Sequence, residues 1–312
     1  MSFRRHLLAL ALLVSFAVPA WAVTVSPSAL YIDHRSRSGT LTLVNTGSLP
    51  EEIEINFMFG YPRADSLGNV SVQVVAEAPL GEPSLVPYLR AFPRRLRLEP
   101  GQRQVVRIFV QPPAGLAEGE YWGRIAITSR GGQAPIEQQQ GEIRLQVNVE
   151  TVVISAVTYR NGAVTTGLEL TDLAAQRGDS SVRVAMTLKR SGNAAYLGRL
   201  RMELVDARGT VVAQATEDIA VYRDMQRIFT LHTPSMLEPV AYSVRYSIDV
   251  ERPDLPPEGP LPAPQLVDHL AQGHEGARAL GHKHNLTRRS HRNSNWFFVR
   301  KLELVFLFPI IL

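Results

Sequence analysis

Between Val23 and about Val250 the apolar side chains recur at every second residue in short runs, and Gly, Pro, Asn and Asp punctuate the runs. A period of two places alternate side chains on opposite faces of an extended chain, so each run predicts a strand with one face buried. The clearest runs in the first half are 40–44, 53–59, 70–75, 104–110, 121–128 and a long segment at 143–154. Turn chemistry separates them at Asn45-Thr46-Gly47, Leu67-Gly68-Asn69, Glu99-Pro100-Gly101 and Gln111-Pro112-Pro113. A second set runs 164–170, 182–188, 200–205, 211–215, 228–231 and 242–250, with turns at Asn161-Gly162, Arg177-Gly178-Asp179, Ser191-Gly192-Asn193 and Ala207-Arg208-Gly209. Helical periodicity is absent. Two groups of strands, each about the length of one immunoglobulin-like sandwich, predict an all-β protein with two such sandwiches in tandem and a hinge near 155–162.

The flanks break this pattern. Residues 1–22 carry Arg4, Arg5 and His6, then an apolar run from Leu7 to Val18, then Pro19-Ala20-Trp21-Ala22. That order reads as a secretory signal peptide cleaved after Ala22, since the run is shorter than the roughly 20 residues a spanning helix needs. Beyond Glu251, Pro253, Pro256, Pro257, Pro260, Pro262 and Pro264 predict an extended linker at which the folded part ends. A basic, His-rich stretch and an apolar end from Leu302 to Leu312 follow, the latter too short to span a bilayer. The expected organisation is therefore a signal peptide over 1–22, sandwiches over 23–158 and 159–252, and a Pro-rich linker and tail over 253–312.

Charge and composition narrow the function. The formal net charge is +4, but residues 1–22 and 265–312 hold the excess and residues 23–264 carry −2, so no folded domain offers the basic face that nucleic acid requires. The chain has no cysteine, hence no lipoprotein acceptor thiol, disulfide or thiol nucleophile. It also lacks a Gly-x-Ser-x-Gly elbow, a Walker-type phosphate loop and a His-Glu-x-x-His pair. His282 and His284 are the nearest approach to a metal pair and lie in the tail, where adventitious binding is the simpler account. The expectation is a non-enzyme with no catalytic residues, cofactor or metal.

Several residues explain themselves by local physics. In Glu99-Pro100-Gly101-Gln102, Pro100 fixes φ and Gly101 can take a positive φ, which suits a type II turn opening a strand whose Val106, Ile108 and Val110 share a face. Tyr121 stands where a sandwich tyrosine often hydrogen-bonds main chain across the corner between strands. Trp122 faces the opposite way and is expected to pack.

Residues 92–108, Phe92-Pro93-Arg94-Arg95-Leu96-Arg97-Leu98-Glu99-Pro100-Gly101-Gln102-Arg103-Gln104-Val105-Val106-Arg107-Ile108, resemble the signature of periplasmic pilus chaperones, the PapD-like family. The start of the body, with Val25-Ser26-Pro27, Leu30-Tyr31-Ile32 and Leu41 to Asn45, is similar to that family's first two strands. The resemblance covers roughly 23–154 and implies a chaperone that completes unfinished immunoglobulin-like pilus subunits by donor-strand complementation. On the chain, the polar stretch Gly131 to Gly141 precedes a strand in which Ile143, Leu145, Val147 and Val149 form an apolar row alternating with polar residues. The resemblance makes that row the donor strand; taken alone, the row also fits the inward half of any sandwich strand. The implied partners are pilus subunits and an outer-membrane usher, with no stable membrane span, and the implied compartment is the periplasm.

One feature departs from the family, which grips a subunit's C-terminal carboxylate with an Arg on the first strand and a Lys on the last. Here those strands read Leu30-Tyr31-Ile32 and Glu150-Thr151-Val152-Val153-Ile154, so Arg35, Arg107 and Arg124 are the candidate substitutes. The alternative reading is an immunoglobulin-like surface or cell-wall-associated binding protein.

Overall fold

The computed structural model describes residues 23–131, 136–140, 143–147 and 150–272; residues 1–22 and 273–312 lie outside this range. The first half contains β1 (Val23–Ser26), β2 (Ala29–Asp33), β3 (Ser38–Asn45), β4 (Glu51–Met58), a short hairpin of β5 (Pro62–Ala64) and β6 (Val70–Val72), then β7 (Leu89–Phe92), β8 (Arg95–Leu98), β9 (Arg103–Val110), β10 (Gly119–Arg130), β11 (Ile136–Gln140), β12 (Ile143–Val147) and β13 (Glu150–Asn161). The second half contains β14 (Thr166–Arg177), β15 (Ser181–Gly192), β16 (Tyr196–Asp206), β17 (Val211–Val221), β18 (Met225–His232), β19 (Tyr242–Asp249) and β20 (Leu266–Gln272). The fold is all-β and consists of two immunoglobulin-like sandwiches. In the first, a sheet ordered β1-β3-β9-β7 packs on one ordered β2-β13-β10-β4-β8. In the second, β14-β15-β18 packs on β17-β16-β19-β20.

The alternation read from the sequence is the alternation of burial. Leu41 and Leu43 of β3 interleave with Ile53 and Ile55 of β4, Val106 and Ile108 of β9, Ile125 of β10 and Val157 of β13, and all are buried in one apolar cluster. Apolar area withdrawn in this way, at about 25 cal/mol per Å², is the main force holding the two sheets together. Polar caps close the cluster. Asn45 is buried at the end of β3, where its side-chain amide donates to the carbonyls of Leu49 (2.8 Å) and Leu98 (3.0 Å) while its Oδ1 accepts from Gly47 N–H at 2.9 Å. The turn expected at Glu99 to Gln102 forms, with Gly101 at φ +74° and Gln102 N–H donating to the Glu99 carbonyl at 2.9 Å. The Tyr121 hydroxyl donates to the Ala117 carbonyl at 3.1 Å and closes the strand corner.

Three expectations need correction. The long strand at 143–154 is two strands in separate sheets: β12 pairs with β11 and β13 with β10. Arg130 pairs with Glu150 and Ile136 with Val147, so five residues of sequence separate the paired positions on one limb and two on the other. Unequal limbs cannot stay in one ladder, although the sequence alternation runs through the break. Second, β13 continues in the first sandwich to Asn161, which moves the domain boundary from 158 to the connection 162–165. Third, the folded part does not end at Glu251: after the proline-rich segment the chain returns as β20, pairing Leu266 with Ile248 and extending the sheet beside β19.

The second core is built around Tyr196, Phe229, Leu200, Val244 and Ile248. Tyr196 is fully buried, and its hydroxyl finds no hydrogen-bond partner among the described residues; burial, with Asp249 nearby, pushes its pKa up to about 12. An unfolded tyrosine ionises near pH 10, so the folded state holds a proton the unfolded chain loses, and stability present below pH 10 declines as pH rises towards about 12. On going from pH 8 to above pH 11 the urea midpoint should therefore fall further for the parent than for Tyr196→Phe, with little difference between the two proteins at pH 8.

Candidate functional site

An open backbone edge runs along one side of the first sandwich. β13 is paired with β10 over its whole length, from Glu150 to Asn161. On its other side β2 pairs with it, in parallel, only at Ala156 to Arg160. The sequence at the start of the chain explains the stop. Val23 to Ser26 pair with β3 in the opposite sheet, the chain crosses between sheets at Pro27 and Ser28, and Ala156 N–H meets the Ser28 carbonyl at 3.1 Å. Proline offers no N–H to a ladder, so it suits the crossing point. Among the described residues no strand pairs with the outer edge of β13 from Glu150 to Ser155.

Beyond that edge the β11–β12 hairpin continues as a two-stranded arm. It pairs Ile136 with Val147, Gln138 with Leu145 and Gln140 with Ile143, and among the described residues no third strand joins it. Ile143, Leu145 and Val147 all belong to β12; Val149 lies outside the described residues. An unpaired row of N–H and C=O groups is a template for strand addition, with main-chain hydrogen bonds available before any side chain contributes.

The second feature is the contact between the two sandwiches. Phe59, Tyr61 and Trp122 of the first meet Ala195, Leu197 and Tyr222 of the second in a separate buried cluster. Tyr61 stacks on Tyr222 at 5.9 Å between centroids, and Trp122 meets Tyr222 edge-on at 5.0 Å. Trp122 is 2% exposed, in keeping with the packing role expected of it. Polar links surround the rings. Glu120 accepts from Arg160 Nε at 2.9 Å, its cross-strand neighbour, and from Ala195 N–H of the second domain at 3.1 Å. Burial pushes the Glu120 carboxyl upwards, while Arg160 and the Ala195 N–H oppose that shift. Arg223 forms a two-pronged ion pair with Glu82, at 2.9 and 3.2 Å. Gly68, at φ +84°, lies so close to β18 that a Cβ there would stand 2.5 Å from the Ile228 nitrogen.

The candidate basic residues are dispersed. Arg35 is exposed in the turn after β2, where its N–H donates to Asp33 Oδ1. Arg107 is exposed on β9, in the other sheet, with its guanidinium 5.9 Å from the Phe109 ring. Arg124 is buried, and its Nε donates to the Gly60 carbonyl at 3.1 Å. The structure does not gather the three into one site. Arg160 is the basic residue that β13 brings to the cleft; its signal in the sequence was its place beside Tyr159, opposite Glu120-Tyr121 once the two strands are set in register. Among the described residues no group of three His, Asp or Glu stands close enough to hold a metal ion, and no helix is long and apolar enough to cross a membrane.

No protein-family model matches the chain, and no curated protein does. Solved structures align with much of it. The Pseudomonas aeruginosa CupB2 chaperone is 14% identical, covering 80% of this chain and 100% of that one at a TM-score of 0.40. The Salmonella enterica SafA pilin–SafB chaperone complex aligns at 15% identity over 74% of this chain and 91% of that one, TM-score 0.37. The CsuC–CsuE chaperone–tip adhesion subunit complex of Acinetobacter baumannii aligns at 11% identity over 79% and 97%, TM-score 0.39. All three contain chaperones.

Removing Glu120 would leave the Arg160 guanidinium without its carboxylate at a largely buried position, a change that costs about 3 kcal/mol in comparable pairs. Glu120→Ala is therefore expected to lower the urea midpoint clearly more than Glu120→Gln, whose amide oxygen still accepts from Ala195.

Proposed function

We propose that this protein is a periplasmic chaperone for pilus-type subunits, which lends its open edge, residues 143–155, to an incomplete immunoglobulin-like client sheet. The observation that supports the reading is the order of two open edges along the chain: β12, which no third strand joins among the described residues, precedes the half of β13 that β2 leaves unpaired. A client lacking one strand exposes two unpaired edges and an apolar groove, the combination that drives edge-to-edge aggregation. Residues 143–155 would satisfy the main-chain groups, and the row Ile143, Leu145, Val147 and Val149 would fill the groove and set the register, since a slip of one residue turns every side chain to the wrong face. The work is done by backbone pairing and burial, with no bond made or broken and no cofactor.

The reading adds a mechanical point to the departure noted in the sequence. Without the Arg and Lys carboxylate grip of the resembled family, client affinity rests on the length of the paired edge and on the apolar row. The leader sequence would deliver the protein to the periplasm, and an outer-membrane usher would receive the loaded complex.

The test uses a pilus subunit from the same genome, co-exported with the chain. The parent should yield a soluble one-to-one complex, whereas Leu145→Asp combined with Val147→Asp should lose at least about tenfold in affinity, or about 1.4 kcal/mol, with an unchanged far-ultraviolet circular dichroism spectrum. Equal capture by the folded double variant would remove the donor edge from the mechanism.

A further inference from the structure

β19 and β20 are antiparallel neighbours, pairing Ile248 with Leu266. Such a hairpin closes with about two to five residues, yet residues 249–265 lie between the paired positions. Long connections in compact domains are uncommon and usually do something. This one does not stay with its own hairpin.

The segment starts on the second sandwich and ends on the first. Arg252 is buried and anchors the start: its guanidinium donates to the Ile219 carbonyl on β17 at 3.0 Å and grips Asp254 with two hydrogen bonds of 2.8 and 2.7 Å. Leu255 then packs against the inter-domain aromatic cluster, as does Tyr31 of β2. At the far end Arg160 of the first sandwich donates to two successive main-chain carbonyls, those of Glu258 and Gly259. The same guanidinium lies 5.2 Å from the Tyr31 ring centroid. Gly259 is buried against that ring: a Cβ there would stand 2.9 Å from Tyr31 Cε2 and Cζ and 3.0 Å from the Pro256 carbonyl oxygen. Tyr31 is well covered, and burial pushes its hydroxyl far above the ordinary tyrosine range. Two hydrogen-bonded turns shape the segment, Leu255 N–H donating to the Arg252 carbonyl at 3.1 Å and Gly259 N–H to the Pro256 carbonyl at 2.8 Å, and Pro253, Pro256, Pro257 and Pro260 fix φ, so little chain entropy is lost when it docks.

We infer that residues 252–260 are a cross-domain latch, a proline-rich self-ligand that docks on a Tyr31–Arg160 receptor in the cleft and holds the two sandwiches at one angle. The chemistry of the receptor is that of main-chain recognition at a turn, with an aromatic face to lie against and a guanidinium to meet consecutive carbonyls. Opening the latch would free the 162–165 connection to hinge and would present the same Tyr31–Arg160 surface to a proline-rich, turn-forming peptide in trans. The inference does not depend on the chaperone reading.

Trp122 reports on the latch directly, because it lies in the cluster that Leu255 covers. In full-length chain carrying Trp21→Phe and Trp296→Phe, Trp122 is the only tryptophan. Replacing 253–262 with Gly-Ser-Gly keeps the β19–β20 hairpin closable, and Gly259→Val leaves the whole segment present but drives a side chain into Tyr31. Both variants should fold, show red-shifted Trp122 emission and raise acrylamide quenching several-fold. A synthetic peptide of residues 250–264 should reverse the change in the loop-replaced chain at about millimolar concentration, the effective concentration that a short tether supplies. Parent-like quenching in both folded variants would overturn the inference. So would global unfolding of Gly259→Val, since a latch is dispensable to each sandwich, and so would failure of the peptide to restore the parent signal.

Discussion

Much of this molecule follows from how the main chain of one strand is shared. β13 has two edges to satisfy; β10 takes one along its whole length, and β2 takes only the second half of the other. Buried N–H and C=O groups must be paired, and unpaired ones are confined to places that water or a partner can reach. The opening strand of the chain divides itself between both sheets, β1 on one and β2 on the other, and among the described residues that division leaves Glu150 to Ser155 without a second neighbour beside β10. The arm formed by β11 and β12 prolongs the vacancy away from the sandwich. A sandwich whose first strand ran straight along β13 would bury this edge.

The same strand also joins the two halves of the protein. Arg160 lies at its C-terminal end, pairs with Glu120 across the ladder and reaches the carbonyls of Glu258 and Gly259, while Glu120 accepts from Ala195 in the second sandwich. A carboxylate buried this deeply is costly unless its partners are fixed. Here its two partners, Arg160 and the Ala195 N–H, come from different sandwiches, so the pair ties the inter-domain geometry to the fold of each half. Tyr61, Trp122 and Tyr222 add an apolar seam next to these charges. The open edge and the inter-domain contact are thus two ends of one strand, and a ligand at one would be mechanically close to the other.

The sequence by itself determined the features whose cause is local. Alternation every second residue announced an all-β chain in two groups, and Val106, Ile108 and Val110 fell on the buried face that their parity required. Pro100 and Gly101 specified their turn, and Tyr121 its corner, because each acts over a few residues of chain. The tertiary structure alone decided what depends on register between distant segments. It split 143–154 into an arm and a sheet strand, since the alternation on one limb says nothing of the length of the other. It brought the chain back as β20 after a proline-rich stretch that reads locally as the end of the fold. It dispersed Arg35, Arg107 and Arg124 and placed Arg160 in the cleft, because side-chain parity assigns a residue to a face but not to the neighbour that face will meet.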